Sequence, residues 1–171
     1  MMITPEPLTQ AAFEPFGDVI SADDSAHHFP INDGYTERYH DLAKVDVLEN
    51  GGRAIVSIFR STPLAQPVAI KMMERHPLSS QAFMPLDNRP YLVVVAPAGE
   101  LDERQIKVFL ANGKQGVNYH AGTWHHFCLA LHEQSDFLVV DRGGEGKNCD
   151  VETLDGSLVI ETITADCAVS D

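Results

Sequence analysis

The feature that most constrains the fold is a succession of short segments rich in β-branched and aromatic residues, with no helical pattern between them. From Arg53 onward they are AIVSIFR (54–60), AIKMMERH (69–76), SQAFMPL (80–86), YLVVVAP (91–97), IKVFLA (106–111), GVNYH (116–120), HHFCLAL (125–131), FLVVDR (137–142) and SLVIETI (157–163). Each has the length of a strand, and Gly, Pro and Asn punctuate the gaps. The lack of crossover helices disfavours a parallel βαβ sheet and points to an antiparallel sandwich or small barrel. Asn112-Gly113 reads as a two-residue hairpin turn of the kind that prefers positive φ.

The first fifty residues are more mixed. Thr9 to Phe16 reads as a short helix with Thr9 as N-cap and Pro15 near its stop, and Asn32-Asp33-Gly34 as a turn. A chain of 171 residues fits one domain. Residues 1–50 form an N-terminal extension and the first strands, 53–163 the core, and 164–171 a frayed tail.

Charge narrows the partners. With 25 Asp and Glu against 12 Lys and Arg, the net charge of −13 repels nucleic acid and anionic membranes. The three cysteines, Cys128, Cys149 and Cys167, make no CxxC pair, so reduced thiols in a cytoplasmic protein are expected. MMITPEPLTQ lacks the basic start and apolar run of a signal peptide.

Strand parity nominates inward side chains, because alternate residues share a face. Over 70–76, Ile70, Met72, Glu74 and His76 fall on one face and Lys71, Met73 and Arg75 on the other. In the segment 125–131, His125 shares parity with Phe127, Leu129 and Leu131, which places it inside and His126 outside unless a bulge shifts the register. A single histidine on an apolar face is more often a satisfied core residue than a functional one. Here His76, His120 and His125 lie in two strand-end clusters beside polar residues, which favours a site.

The pattern Glu74–Gln81 (ERHPLSSQ) followed by Gly116–His126 (GVNYHAGTWHH) resembles a degenerate pair of cupin motifs. Glu74 and His76 stand at the two histidine positions of the first motif and Gln81 at its glutamate position, while His120 to His125 matches the frame of the second with His120 in place of proline. NDGYTERYHDLA, ERHPLSSQAFMPL, GVNYHAGTWHHFCLAL and FLVVDR together resemble the ureidoglycolate lyase family over nearly the whole chain. The resemblance implies a mostly all-β, cupin-like antiparallel β-barrel or jelly roll with short N-terminal helical elements. It also implies a cytoplasmic homodimer that splits ureidoglycolate into glyoxylate and urea with no organic cofactor. Its members are nickel-dependent, so Glu74, His76 and His125 become the candidate ligands of a divalent metal, a set that suits nickel, zinc or iron. The alternative is a small-molecule-binding cupin or another metal-dependent one.

Cleavage of such a substrate needs a base for its hydroxyl proton and an acid for the departing nitrogen, for which His76, His120 and His125 are the candidates. Its carboxylate needs a cation, for which Arg38, Arg60, Lys71, Arg75 and Arg89 are available. Parity turns Lys71 and Arg75 away from His76, Arg38 and Arg60 are the ones nominated, and for any single one a solvated surface charge is the more common role. Ser79, Ser80 and Gln81 can bond the ureido group or merely cap a turn, and Trp124 can wall the pocket or fill a core.

Overall fold

The structure, a computed structural model, describes residues 1–164, and nearly all of its regular structure is strand. Strands β1 (Met2–Ile3) and β2 (Glu6–Pro7) precede a one-turn helix, α1 (Gln10–Phe13), which is followed by β3 (Gly17–Ile20), β4 (His28–Ile31) and β5 (Thr36–Tyr39). Next come β6 (Arg53–Ser61), β7 (Val68–Ala69), β8 (Met72–Arg75), β9 (Gln81–Pro85) and β10 (Tyr91–Ala96). The last are β11 (Lys107–Ala111), β12 (Gly116–Tyr119), β13 (Trp124–His125), β14 (Leu129–Ala130), β15 (Ser135–Gly143), β16 (Asp150–Thr153) and β17 (Val159–Ile160). Residues 165–171, most of the expected frayed tail, lie outside the described residues.

The strands stack in layers. One sheet runs β3-β12-β9-β15-β6 and another β16-β8-β13-β10-β11-β2, with β14 also on β10. Between them lies a core that includes Val19, Phe83, Val117, Phe137 and Val139 from the first sheet and Tyr91, Val93, Val95 and Phe109 from the second. A smaller sheet, β1-β17-β7, contributes Val68 and Ile160 to a further core with Leu92, Val94, Ala96 and Trp124 on the back of the second. All six residues of β10 are therefore buried, which is why YLVVVA is uninterrupted hydrocarbon with no alternation. The fold is the expected all-β, cupin-like one, but its sheets remain separate and do not close into a continuous barrel.

Most pairs are antiparallel, as expected, although β1 on β17 and β2 on β11 are parallel. The Thr9 hydroxyl accepts from the Ala12 amide at 3.2 Å and so caps α1, an interaction of about 1 kcal/mol. The helix buries Phe13 against Phe16, Phe109 and Tyr119, with ring centroids 5.8, 5.8 and 6.2 Å away. Asn32, Asp33 and Gly34 all take positive φ and turn β4 back onto β5, as their sequence suggests.

Three expectations need correction. Asn112-Gly113 is not a hairpin turn: neither residue has positive φ, and the turn carries the chain from β11 in one sheet to β12 in the other. The segment 69–76 is two strands, and the break at Ile70 and Lys71 shifts the alternation, so Ile70 packs in the outer core together with Met73. The segment 125–131 is also divided. Val95 pairs with His125 and Leu92 with Leu129, so His126, Phe127 and Cys128 oppose only Val93 and Val94. That one-residue bulge reverses the faces beyond it. Leu129 and Leu131 join Trp124 in the outer core, Phe127 is exposed, and His126 is buried at 4% exposure, not outside.

Candidate active site

The site begins as a cross-strand pair. β13 lies antiparallel to β8 with His125 directly opposite Glu74, so the two side chains share one face, and His76 follows two residues beyond Glu74 on that side. The turn between β12 and β13 fixes this pairing: Gly122, at φ +81°, donates its amide to the His76 carbonyl at 2.9 Å. A side chain at that φ would be strained, which accounts for glycine here. Thr123 ties the same turn to Phe16 through a 2.9 Å hydroxyl-to-carbonyl bond.

Glu74, His76 and His125 each offer a ligand atom, and these atoms all lie within 4.8 Å of one another. His125 is 1% exposed, and its Nε2 is buried with no hydrogen-bond partner among the described residues. Its Nδ1 is 3.1 Å from the His126 carbonyl and 3.8 Å from Glu74 Oε1. Burial, with the neighbouring His76 adding to it, pushes the imidazole pKa down to about 3, so it stands neutral as a metal ligand must. Burial also raises the Glu74 carboxyl above its usual range, partly offset by His76. An orphaned buried nitrogen, a second imidazole and a desolvated carboxylate together fit a divalent cation with nitrogen and oxygen preferences.

His76 is oriented from both sides. Its Nδ1 lies 2.7 Å from the Asn148 carbonyl, and its Nε2 faces Gln81 Oε1 at 3.2 Å. Gln81 is 6% exposed, and its Nε2 donates to Asp141 Oδ2 at 3.0 Å, which sets the amide with its oxygen toward His76. Tyr119 completes the wall: its ring stacks on His125 at 4.3 Å between centroids.

The other residues nominated from the sequence fall elsewhere or play local roles. His120 is exposed and bonds Asp18 at 3.1 Å, outside the Glu74, His76 and His125 cluster. Arg60 does share parity with Val56 and Ile58, but that face is the exposed outer one, and its guanidinium grips both carboxylate oxygens of Asp136 at 2.8 and 2.9 Å. Arg38 lies exposed on the β4–β5 hairpin. Ser80 exchanges hydrogen bonds with Asp46, and Ser79 accepts from Asn148 Nδ2 at 2.8 Å, so both brace the β8–β9 turn. Trp124 points away from His125 into the outer core, donating to the Gly99 carbonyl at 3.0 Å under the Arg75 guanidinium. Arg75 thus faces away from His76, as parity requires. Cys128 is a mostly buried thiol whose pKa burial pushes up to about 11, in keeping with a packing role.

Three residues of the site escaped the sequence reading. Asp141 carries a signal: it continues the inward parity of Phe137 and Val139, both fully buried, so a charge ends an apolar face. Tyr119 carries a similar one, next to Val117 on its strand. Asn148 carries none, because it lies in a loop and acts on His76 through its backbone, while its side-chain oxygen accepts the Leu78 amide at 2.8 Å.

The profile of the family described as Ureidoglycolate lyase matches residues 1–161. A Burkholderia mallei protein named ureidoglycolate lyase is 58% identical over 153 residues, covering 90% of this chain and 89% of its own. Proteins of the same name from Burkholderia cepacia and Pseudomonas syringae pv. tomato are 56% identical over 157 residues and 55% identical over 149; they cover 91% and 86% of this chain, and 88% and 87% of their own. With the profile spanning both strands that build the Glu74, His76 and His125 cluster, the chain belongs to the ureidoglycolate lyase family.

Proposed function

We propose that this protein cleaves the C–N bond of ureidoglycolate, the (S) enantiomer, to give glyoxylate and urea. The observation that carries the reading is the buried Glu74, His76 and His125 cluster, with its orphaned imidazole nitrogen, in a chain of this family. Ureidoglycolate holds a hydroxyl and a ureido nitrogen on one carbon beside a carboxylate. Loss of the hydroxyl proton lets the carbonyl form as the C–N bond breaks, and the departing nitrogen takes up a proton. Glu74, His76 and His125 would hold the metal beside which both transfers take place, and Gln81 and Tyr119 orient the two imidazoles. We take the metal to be nickel; bound there, it would lower the pKa of the substrate hydroxyl and neutralise the carboxylate. That role removes the need for an arginine, consistent with the positions of Arg38 and Arg60 away from the cluster.

We further infer a cytoplasmic homodimer working in purine nitrogen breakdown. Supporting the dimer, Val56 and Ile58 are 67% and 55% exposed on the outer face of the five-stranded sheet, beside Met84, Leu138 and Val140. No helix of the described residues is long and apolar enough to cross a membrane.

The deciding experiment incubates purified protein with ureidoglycolate and follows glyoxylate and urea, before and after chelation and with nickel restored. Glyoxylate above the spontaneous rate, lost on chelation and recovered with nickel, is the expected result. No glyoxylate in any condition would leave a binding cupin as the better reading, and activity indifferent to metal removal would remove the metal from it.

A further inference from the structure

Asp141 is the one charged group on the inward face of β15, and only half of its carboxylate is used. Oδ2 accepts from Gln81 Nε2 at 3.0 Å, while Oδ1 is buried and has no hydrogen-bond partner among the described residues. A buried carboxyl oxygen without a donor costs roughly 1–3 kcal/mol, a deficit that an incoming N–H group would remove. Its surroundings say which kind. Gln81 turns its own oxygen toward His76 at 3.2 Å, so the Asp141–Gln81–His76 line reaches the reacting centre and presents acceptors along it. On the register, Ile55 of β6 lies across from Asp141 and brings no polar group from the far side.

We propose that Asp141 Oδ1 receives the N–H donors of the ureido group, making Asp141 the residue that recognises the urea half of the substrate. This rests on the ureidoglycolate reading and adds to it the part of the site that tells a ureido group, with its N–H donors, from a bare 2-hydroxy acid that has no donor at that position. The terminal amide of a ureido group carries two hydrogens and is neutral; a carboxylate oxygen binds it strongly and repels a second carboxylate. The substrate is thereby held with its own carboxylate away from Asp141 and its scissile nitrogen toward Gln81.

The test is Asp141→Asn. Because Gln81 Nε2 requires an acceptor, the new amide keeps its oxygen there and places its NH2 where Oδ1 stood, replacing an acceptor with a donor without changing shape. KM for ureidoglycolate should rise about 10–100-fold, while inhibition by glyoxylate, which has no N–H group, stays within about twofold. A thermal melt checks folding, and Asp141→Ser judged by the same two constants substitutes if the amide variant misfolds. A fall in kcat with KM unchanged would overturn the inference, as would equal weakening toward ureidoglycolate and glyoxylate, because either would mean that Asp141 only steadies Gln81. Wild-type protein that forms no glyoxylate fells the functional reading and this one together; an active wild type with an unaltered variant fells this one alone.

Discussion

The imidazole of His125 lies flat on the phenol of Tyr119, with centroids 4.3 Å apart and planes 3° from parallel. Its other neighbours hold it less closely: the next residue's carbonyl at 3.1 Å from Nδ1, Glu74 Oε1 at 3.8 Å and the tilted His76 ring at 5.0 Å between centroids, with Nε2 unpartnered among the described residues. Stacking therefore sets the ring plane, and with it the direction of the nitrogen lone pair. Replacing Tyr119 by Leu should lower kcat by about 10-fold through misorientation, of the size seen when a residue supporting a metal ligand is lost. His125→Ala should cost at least about 100-fold. His132→Ala, at an exposed position on a turn, should stay within twofold of wild type. Steady-state kinetics on the three variants checks the order, and equal losses at His125 and His132 would contradict the site.

Acid stability should expose the buried imidazole. His125 titrates near 3 in the fold against 6.5 when free, so between those values the unfolded chain binds a proton that the folded one refuses. Stability from this group is full above about pH 6.5 and drains as pH falls, by up to about 1.4 kcal/mol per pH unit. His126, lowered by its own burial, acts in the same sense; Glu74, raised by burial, acts in the opposite one. In metal-free Glu74→Gln protein, urea midpoints measured from pH 7 to 4.5 should fall, and His125→Gln in that background should flatten the slope. A slope left unchanged would place the titration elsewhere.

Arg142 is 8% exposed and donates to the carbonyls of Glu49, at 3.1 and 3.0 Å, and of Glu145, at 2.8 Å. Lying in β15 directly after Asp141, it closes the loop before β6 onto the loop after β15. Arg142→Ala would leave these carbonyls without a donor and should destabilise the fold by about 3 kcal/mol. Chemical denaturation measures it. A loss below 1 kcal/mol would mean that water replaces the guanidinium.

Exposed Ile58, with Val56, Leu138 and Met84 around it, tests the dimer directly. Ile58→Glu should shift sedimentation from twice the chain mass to the single-chain value with the monomer still folded. Dimers that persist would move the interface elsewhere.

How much of this was legible in the residues depended on whether alternation survived. The all-β class, the α1 cap at Thr9 and the pairing of Glu74 with His76 were all readable, because each rests on contacts within a few positions. Parity points His125 inward for the wrong reason: Leu129 and Leu131, which share its face by simple counting, lie on the opposite one. A bulge adds a residue without any signature in composition, so counting beyond it fails, and His126 was misplaced for that reason. Of the two readings open for Trp124, pocket wall or core, the core one holds, since adjacency to His125 in sequence means opposite faces of a strand. Asn148 was invisible because a backbone carbonyl has no residue type. The outward face of Arg60 follows from its pairing with Asp136, which alternates with buried Phe137 on β15, and the sequence of β6 alone does not give that register.

The strand Tyr91–Ala96 belongs to both hydrophobic interiors at once, with Tyr91, Val93 and Val95 on one side and Leu92, Val94 and Ala96 on the other. Neither interior can open while the other stays closed around it. Local fluctuations that expose its amides must therefore approach the free energy of complete unfolding, and those amides should be among the slowest to exchange with deuterium. The β8–β13 ladder holding Glu74 and His125 is paired with that strand through β13, so the amides around the proposed metal ligands should share its slow exchange.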